Sequence, residues 1–372
     1  MSAGGRPLRL ALLGSRGIPA RYGGYETLME ELGPRLVERG HQVTVYGRSH
    51  VVPRGTTEHR GCSVVVLPTL RRKHLDTPVH TLLSAFHAAE RGYDAALVVN
   101  AANAAFVPIL RAAEIPVALH VDGIERRRAK WGALGRSVYA VSERLAVRVA
   151  DEVITDAEVI ARHYAERYGA RTTTITYGVD PDREPGDDAL ARLGLERGRY
   201  FLYVSRFEPE NNPHRVAEAY RGVAGDTPLV MVGDAPYARS FIESFRRGAD
   251  RRIVFPGALY GLDYRQLQRH ALAYIHATEV GGTHPALVEA MGYGGCVVVN
   301  DTPENREVAG EAGLYFEAAR PESLTQVLAS LLDRPALAAE HRERAAARAA
   351  ARYSWDTIAS RYEEVFRRLA RS

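Results

Sequence analysis

The sequence predicts an α/β protein made of two Rossmann-like, doubly wound domains that face each other across a cleft. Three observations carry that expectation. Short apolar runs alternate with amphipathic helical segments along all 372 residues. Most of these runs lack an in/out alternation, as strands covered by helices on both faces do. The rhythm stops once, at residues 177–186, and then restarts. A chain of this length is also about right for two ordinary domains.

In the first half the strand segments are 9–13, 43–46, 64–67, 95–99, 117–120, 152–155 and 173–175, and helical periodicity falls at 25–39, 79–90, 137–150 and 158–168. The interruption reads Tyr177-Gly178-Val179-Asp180-Pro181-Asp182-Arg183-Glu184-Pro185-Gly186. Pro, Gly and acidic residues cluster there without an apolar period, which marks a linker. Strands then follow at 201–204, 229–232, 253–255, 273–276 and 297–300, with helices at 213–221, 237–247 and 285–293. From Pro335 onward the chain is helical by propensity, broken at Tyr353-Ser354-Trp355. Ser354 suits the N-cap of a final helix whose apolar positions Trp355, Ile358, Tyr362, Val365 and Leu369 fall at spacings of 3, 4, 3 and 4. That stripe has to pack on something. The expected boundaries are 1–180, 181–352 and a terminal segment 353–372.

Composition removes several classes of function. Lys+Arg is 49 against Asp+Glu 45, a net charge of +4, which is not the cationic excess of a nucleic-acid binder. Almost all the cations are Arg, Lys73 and Lys130 being the exceptions. The slight excess is compatible with peripheral contact at an anionic membrane face without requiring it. Cys62 and Cys296 each open a strand-like apolar run and read as buried free thiols. The apolar residues from Leu8 to Leu13 include Arg9 and are followed by Gly14 and Arg16, too short for a signal peptide, and no run reaches membrane-spanning length. A cytoplasmic protein is expected.

Three loops carry chemistry. The first strand runs into Gly14-Ser15-Arg16-Gly17-Ile18-Pro19-Ala20-Arg21-Tyr22-Gly23-Gly24-Tyr25-Glu26 before a helix. Glycines at that junction let backbone N–H groups approach a phosphate, although the loop is longer than the dinucleotide fingerprint and a tight turn needing glycine explains it equally well. In the second half, strand 273–276 is followed by Ala277-Thr278-Glu279-Val280-Gly281-Gly282-Thr283-His284-Pro285 and a helix bearing Glu289. Pro285 suits a first helical turn, and a diphosphate fits the positive end of that helix. Glu289, one turn in, is placed to take ribose hydroxyls; the plainer reading is that it favours the helix start. The strand at 201–204 leads into Arg206-Phe207-Glu208-Pro209-Glu210-Asn211-Asn212. An Arg at the carboxyl end of a parallel strand suits a grip on phosphate oxygens, or an ion pair with Glu208 or Glu210.

Taken together, Arg206 to Asn212, Val280-Gly281-Gly282-Thr283-His284-Pro285 through Glu289-Ala290-Met291, and Arg21-Tyr22-Gly23-Gly24-Tyr25-Glu26 resemble the family-4 retaining glycosyltransferases, which have the GT-B fold. The nearest subgroup is the bacterial one often labelled rhamnosyltransferase. The likeness extends to Val121-Asp122-Gly123-Ile124-Glu125, to Arg128-Ala129-Lys130-Trp131, and to the final helix, which in GT-B proteins crosses back onto the first domain. The resemblance implies an acceptor-side first domain and a second domain that binds a nucleotide sugar. Glu289 would hold the donor ribose, Gly281, Gly282 and Thr283 the donor sugar and diphosphate, and Arg206 the diphosphate. His120 would face the transferred sugar, with Asp122 close by. Gly23 and Gly24 would close on the phosphates, while Gly257, Ala258 and Leu259 match the stretch whose backbone reads the base. The donor would be a dTDP- or UDP-sugar and the acceptor a saccharide, lipid-linked or small molecule.

Two departures from the family pattern stand out. Many members carry a second Glu eight residues before the first; here that position is Gly281, and Glu279 is out of register. The Lys common after the phosphate-binding Arg is here Asn211, which the resemblance places among the donor-binding residues with less charge on the diphosphate. Asp180-Pro181-Asp182 mimics a metal-binding pair, but it lies in the linker and GT-B members generally work without a catalytic metal, so the resemblance implies neither metal nor cofactor. His74, His80 and His87 lack a matching ligand set and read as surface or satisfied histidines. The basic run Arg126-Arg127-Arg128 with Lys130 and Trp131 reads as a solvated face, or as a contact for a phosphate-bearing lipid. Other functions on the same architecture are a nucleotide-sugar 2-epimerase and a non-catalytic nucleotide-sugar binder.

Overall fold

A computed structural model describes residues 6–20, 23–72, 75–127, 132–181, 186–235 and 238–371. Arg21, Tyr22, Lys73, His74, the run 128–131, Asp182 and Tyr237 lie outside the described residues. The chain divides into two units, one of the residues up to Tyr177 together with those from Trp355 onward, the other of Gly178–Ser354.

The first unit is built on eight strands: β1 (Arg9–Leu13), β2 (Gln42–Arg48), β3 (Glu58–His59), β4 (Cys62–Leu67), β5 (Ala95–Val99), β6 (Val117–Val121), β7 (Glu152–Thr155) and β8 (Thr173–Thr174). Their order is β3-β4-β2-β1-β5-β6-β7-β8, parallel throughout except for the short β3, which pairs antiparallel with β4. Every residue of β5 and β6 is buried. The reason is visible in β1: Leu10 and Leu12 enter one core, while Ala11 and Leu13 enter another on the opposite face. Helix Gly24–Glu38 supplies Leu28, Met29, Leu32 and Leu36 to the first core, and helix Asp76–Ala89 gives Ala85 and Ala88 to the second. The final helix, Trp355–Leu369, lays Trp355, Ile358, Tyr362, Val365 and Leu369 into the first core, together with Ala359 and Phe366.

The second unit holds β9 (Phe201–Val204), β10 (Leu229–Val232), β11 (Ile253–Gly257), β12 (Ala273–His276), β13 (Val297–Asn300) and β14 (Gly313–Phe316). The order β11-β10-β9-β12-β13-β14 is fully parallel and reverses direction between β9 and β12. Phe201 and Tyr203 face one core, Leu202 the other. Ligands of such sheets bind outside the carboxyl ends of the strands at the point of reversal.

Several elements differ from the sequence expectation. β3 and β14 are extra strands, and helices Val107–Ala112, Asp188–Leu193, Gly261–His270, Pro303–Ala309 and Pro321–Asp333 are extra helices. Helix Gly261–His270 escaped because its buried face is largely polar, with Gln266, Gln268 and His270 beside Leu267. Both cysteines are free and buried, and burial pushes each thiol up to about 12. His80 departs from the surface reading: it is fully buried, and burial lowers its imidazole to about 4. No described helix is long and apolar enough to cross a membrane.

Candidate functional site

In the second unit, the segments after β9 and β12 leave adjacent hydrogen-bonded strands at the point where strand order reverses. Side chains and backbone stitch them together. Asn212, held at a left-handed φ of 57°, donates from Nδ2 to the Ala277 carbonyl and to Glu279 Oε1, each at 2.9 Å. The Glu279 N–H donates to the Glu210 carbonyl at 2.9 Å. Gly233, after β10, lies under the same loop: a Cβ there would stand 1.9 Å from the Ser205 carbonyl oxygen, so only glycine fits.

Arg206 emerges on this face with about a third of its side chain exposed, 3.7 Å from the buried carboxylate of Glu208. The ion-pair reading with Glu208 therefore holds, and part of the guanidinium stays open to solvent. Asn211 has a different place from the one expected of a phosphate ligand. It is buried, its Nδ2 donates to the Arg206 carbonyl at 2.7 Å, and its own carbonyl accepts from the Tyr203 hydroxyl at 2.7 Å. It shapes the Arg206 loop from beneath.

Gly281, Gly282 and Thr283 are buried in the loop before helix Pro285–Gly292. A side chain at 281 would meet a steric conflict. A Cβ on Gly281 would lie 2.3 Å from Cε1 of His284, so the imidazole fills the space a side chain would need. His284 in turn packs 4.8 Å, ring to ring, against His276 at the end of β12. Burial lowers His276 to about 3, and its Nδ1 lies 3.2 Å from the Tyr274 hydroxyl. Glu289 sits on the helix that follows, and its Oε2 accepts from the Tyr264 hydroxyl at 2.5 Å. Tyr264 stands on helix Gly261–His270, which no apolar period in the sequence marks. Gly257 ends β11 at a φ of 86°, its carbonyl accepting from Gly233 N–H at 3.0 Å, and Leu259 packs on the neighbouring core. All the expected residues of this unit thus lie at the carboxyl edge of one sheet.

The first unit gathers its own set. Gly23 is the N-cap of helix Gly24–Glu38 in extended backbone, φ −164°, and its nearest neighbour for an added Cβ is Glu26 Oε2 at 3.4 Å. Neither conformation nor packing demands glycine there, in contrast to Gly14 and Gly17, which have φ of 96° and 103° and would clash with backbone on gaining a Cβ. Two amides of the loop are already engaged by the helix: Arg16 N–H donates to Glu26 Oε1 at 2.7 Å and Ala20 N–H to Glu30 Oε2 at 3.2 Å. Burial raises the Glu26 carboxyl above its ordinary value.

His120, in β6, is fully buried. Its Nδ1 lies 2.5 Å from the Tyr362 hydroxyl of the final helix, and Tyr25 and Tyr177 pack on it at centroid distances of 5.9 Å. An imidazole open to a sugar was expected; three tyrosines enclose it instead, and burial lowers it to about 3. Asp122 follows it, and its N–H donates to the Tyr25 hydroxyl at 3.2 Å, which links Gly23 and Gly24 through Tyr25 to His120 and Asp122. From the basic run, Arg126 pairs with the buried Glu143 at 3.3 Å. Burial alone would raise Glu143, but hydrogen bonds from His163 and Tyr168 and the Arg126 charge hold it below its ordinary value.

Mostly parallel sheets with glycine loops and an Arg at the strand ends make an arrangement suited to a nucleotide ligand, and comparison with known proteins gives the class. Residues 23–178 match the glycosyl transferase 4-like domain and residues 189–352 the glycosyl transferases group 1 domain. The chain therefore carries a glycosyl transferase 4-like domain followed by a glycosyl transferases group 1 domain, on the GT-B fold. A glycogen synthase of Mycobacterium tuberculosis is 27% identical over 266 residues, a match that covers 68% of this chain and only 63% of that protein. Among solved structures, sucrose-phosphate synthase from Thermosynechococcus elongatus superposes with a TM-score of 0.80 at 18% identity, over 97% of this chain and 99% of its own. HepE of Anabaena, in complex with UDP and glucose, gives 0.78 at 18% identity, over 96% and 99%.

Proposed function

We propose that the chain transfers a hexose, rhamnose or another, from a dTDP- or UDP-linked donor to a saccharide, lipid-linked or small-molecule acceptor, retaining the anomeric configuration. The observation that carries this reading is the meeting of Arg206, the Gly281–Thr283 loop and the Glu289 helix at the strand-order reversal between β9 and β12. N–H groups at the start of helix Pro285–Gly292, with Arg206, would stabilise the charge that grows on the departing diphosphate. Glu289 takes the ribose. HepE has been seen with UDP and with UDP-glucose, which supports a nucleotide-sugar donor.

In this reading the bond from the anomeric carbon to the phosphate oxygen breaks as the acceptor oxygen attacks the same face. The acceptor's proton passes to the leaving phosphate oxygen, so no dedicated base is required. Asp122 serves the transferred sugar, and His120 would reach it only where its enclosure of Tyr25, Tyr177 and Tyr362 opens; with its imidazole lowered to about 3, His120 is neutral near pH 7 and offers one N–H and one lone pair, not a charge. The nucleotide sugar is a substrate, and neither metal nor cofactor takes part.

Incubation with dTDP-rhamnose and with UDP-glucose, beside a polyprenyl-diphosphate-linked saccharide and with or without chelator, tests this. The expected outcome is transfer with retained configuration by NMR, undiminished by chelator. Isomerised donor with untouched acceptor would mean an epimerase. Nucleotide binding without turnover of any donor would mean a binding protein.

A further inference from the structure

Behind Glu289 lies a hydrogen-bonded line that the donor reading does not use. Tyr264, in the first turn of helix Gly261–His270, donates its hydroxyl to Glu289 Oε2 at 2.5 Å. The same hydroxyl accepts from Gln268 Nε2 at 3.0 Å, one helical turn further on. Gln268 is fully buried, and its Nε2 also approaches the Ala286 carbonyl at 3.3 Å. Ala286 and Glu289 are three residues apart, on one face of helix Pro285–Gly292. Gln268 is thus anchored to the helix that carries Glu289 while it orients the phenol that reaches Glu289's carboxylate.

We propose that Tyr264 is a positioning residue: it fixes the plane of the Glu289 carboxylate and so sets how strongly the site reads the ribose hydroxyls of a nucleotide. This rests on the reading of Glu289 as the ribose ligand.

The physical case has three parts. A glutamate on a helix flank has three side-chain torsions, and holding it in one geometry at the moment of binding costs conformational entropy. A phenol bonded to one oxygen removes much of that freedom in advance. The bond is charge-assisted, among the stronger class of hydrogen bonds, and burial together with the Glu289 charge pushes the phenol's ionisation well upward, so Tyr264 stays a donor near neutral pH. A carboxylate has about four acceptor positions, of which the bond to Tyr264 takes one.

The test compares binding of UDP and dTDP with that of their analogues lacking ribose hydroxyls, by calorimetry, in the wild-type chain, Tyr264→Phe, Gln268→Met and Glu289→Ala. The wild type should prefer the hydroxylated nucleotide by roughly tenfold or more, as hydrogen bonds to a charged group allow. Tyr264→Phe should shrink that preference about three- to tenfold and leave affinity for the analogue within twofold; Gln268→Met should act in the same direction, more weakly, and keeps the test available if the first variant folds poorly. Equal weakening of both nucleotides, or an intact preference, would overturn the positioning role and leave a packing role. A preference that survives Glu289→Ala would instead remove Glu289 from the ribose, whatever Tyr264 does. Failure of the wild type to bind either nucleotide would sink the donor reading and the inference with it.

Discussion

At the scale of single residues, the sequence located the glycine loops and Arg206 but not what each neighbour does. Arg206 could be placed because a cation at a strand's carboxyl end is a positional signal. Asn211 could not, because its role depends on the Arg206 carbonyl it bonds from beneath. Replacing Arg206 by Ala is expected to lower turnover by roughly 10²-fold or more, the usual consequence of losing a group that stabilises developing charge. Steady-state kinetics with the accepted donor checks it, and near-normal turnover would leave Arg206 as a partner of Glu208 only. Gly281 makes a second residue-scale point. The family pattern flags the missing carboxylate, but only coordinates show what a side chain there would meet, the His284 ring 2.3 Å from where a Cβ would sit. Gly281→Ala should therefore destabilise by about 1–3 kcal/mol as an overpacking change, and a second substitution, His284→Ala, should relieve most of that cost. A double-mutant cycle by urea unfolding decides it; simple additivity would mean the two positions are not in conflict.

At the scale of elements, legibility followed the apolar signal. β1, β5, β7, β9, β10, β12 and β13 fall where the short runs placed them, because strands buried on both faces are continuous apolar segments. Helix Pro321–Asp333 was missed although Pro321 opens it and Leu324, Leu328 and Leu331 recur at helical spacing, a signal available in the sequence. Helix Gly261–His270 is the opposite case, for its inward face is mostly amide and imidazole and no hydropathy pattern marks it. The final helix is legible from its stripe, but its buried face is wider than the stripe. A strict 3-4-3-4 row leaves out Ala359 and Phe366, which are fully buried because a helix against a broad core presents more than one seam. Phe366→Ala is accordingly expected to cost about 3–5 kcal/mol, the range for emptying a buried aromatic site. Arg361→Ala, on an exposed position of the same helix, should change urea stability by less than about 0.5 kcal/mol. Similar losses for both would place the helix's contribution in its backbone and not in its buried face.

At the scale of the whole molecule, the expectation of two doubly wound units needed only rhythm and one interruption, whereas strand order is a long-range property that no local pattern carries. The order β11-β10-β9-β12-β13-β14 is what brings the loops after β9 and β12 together, so the candidate site was legible as separate motifs and became a site only in three dimensions. Burial that assembles these sheets also leaves a titration signature. His80, His120 and His276 are enclosed and lowered by burial to about 4, 3 and 3 from an ordinary 6.5. Below pH 6.5 the unfolded chain binds these protons while the folded chain does not. Folding stability is thus fully present above pH 6.5 and is lost as pH falls toward the folded-state values, by up to about 1.4 kcal/mol per pH unit for each histidine. The carboxylates held low, Glu143 and Glu363 among them, add the same sign of loss, but only near and below their ordinary range around 4.5. Urea unfolding between pH 7 and 5.5 therefore sets the histidines apart from these lowered carboxylates, while Glu26, raised by burial, contributes with the opposite sign and equally in wild type and a histidine variant. His276→Gln should flatten the mean slope in that window by about 0.8 kcal/mol per pH unit, since the unfolded imidazole is only partly protonated there, whatever it does to stability at pH 7. An unchanged slope would mean that His276 accepts its proton inside the folded protein, and that the imidazole pair beside Gly281 is not sealed from solvent.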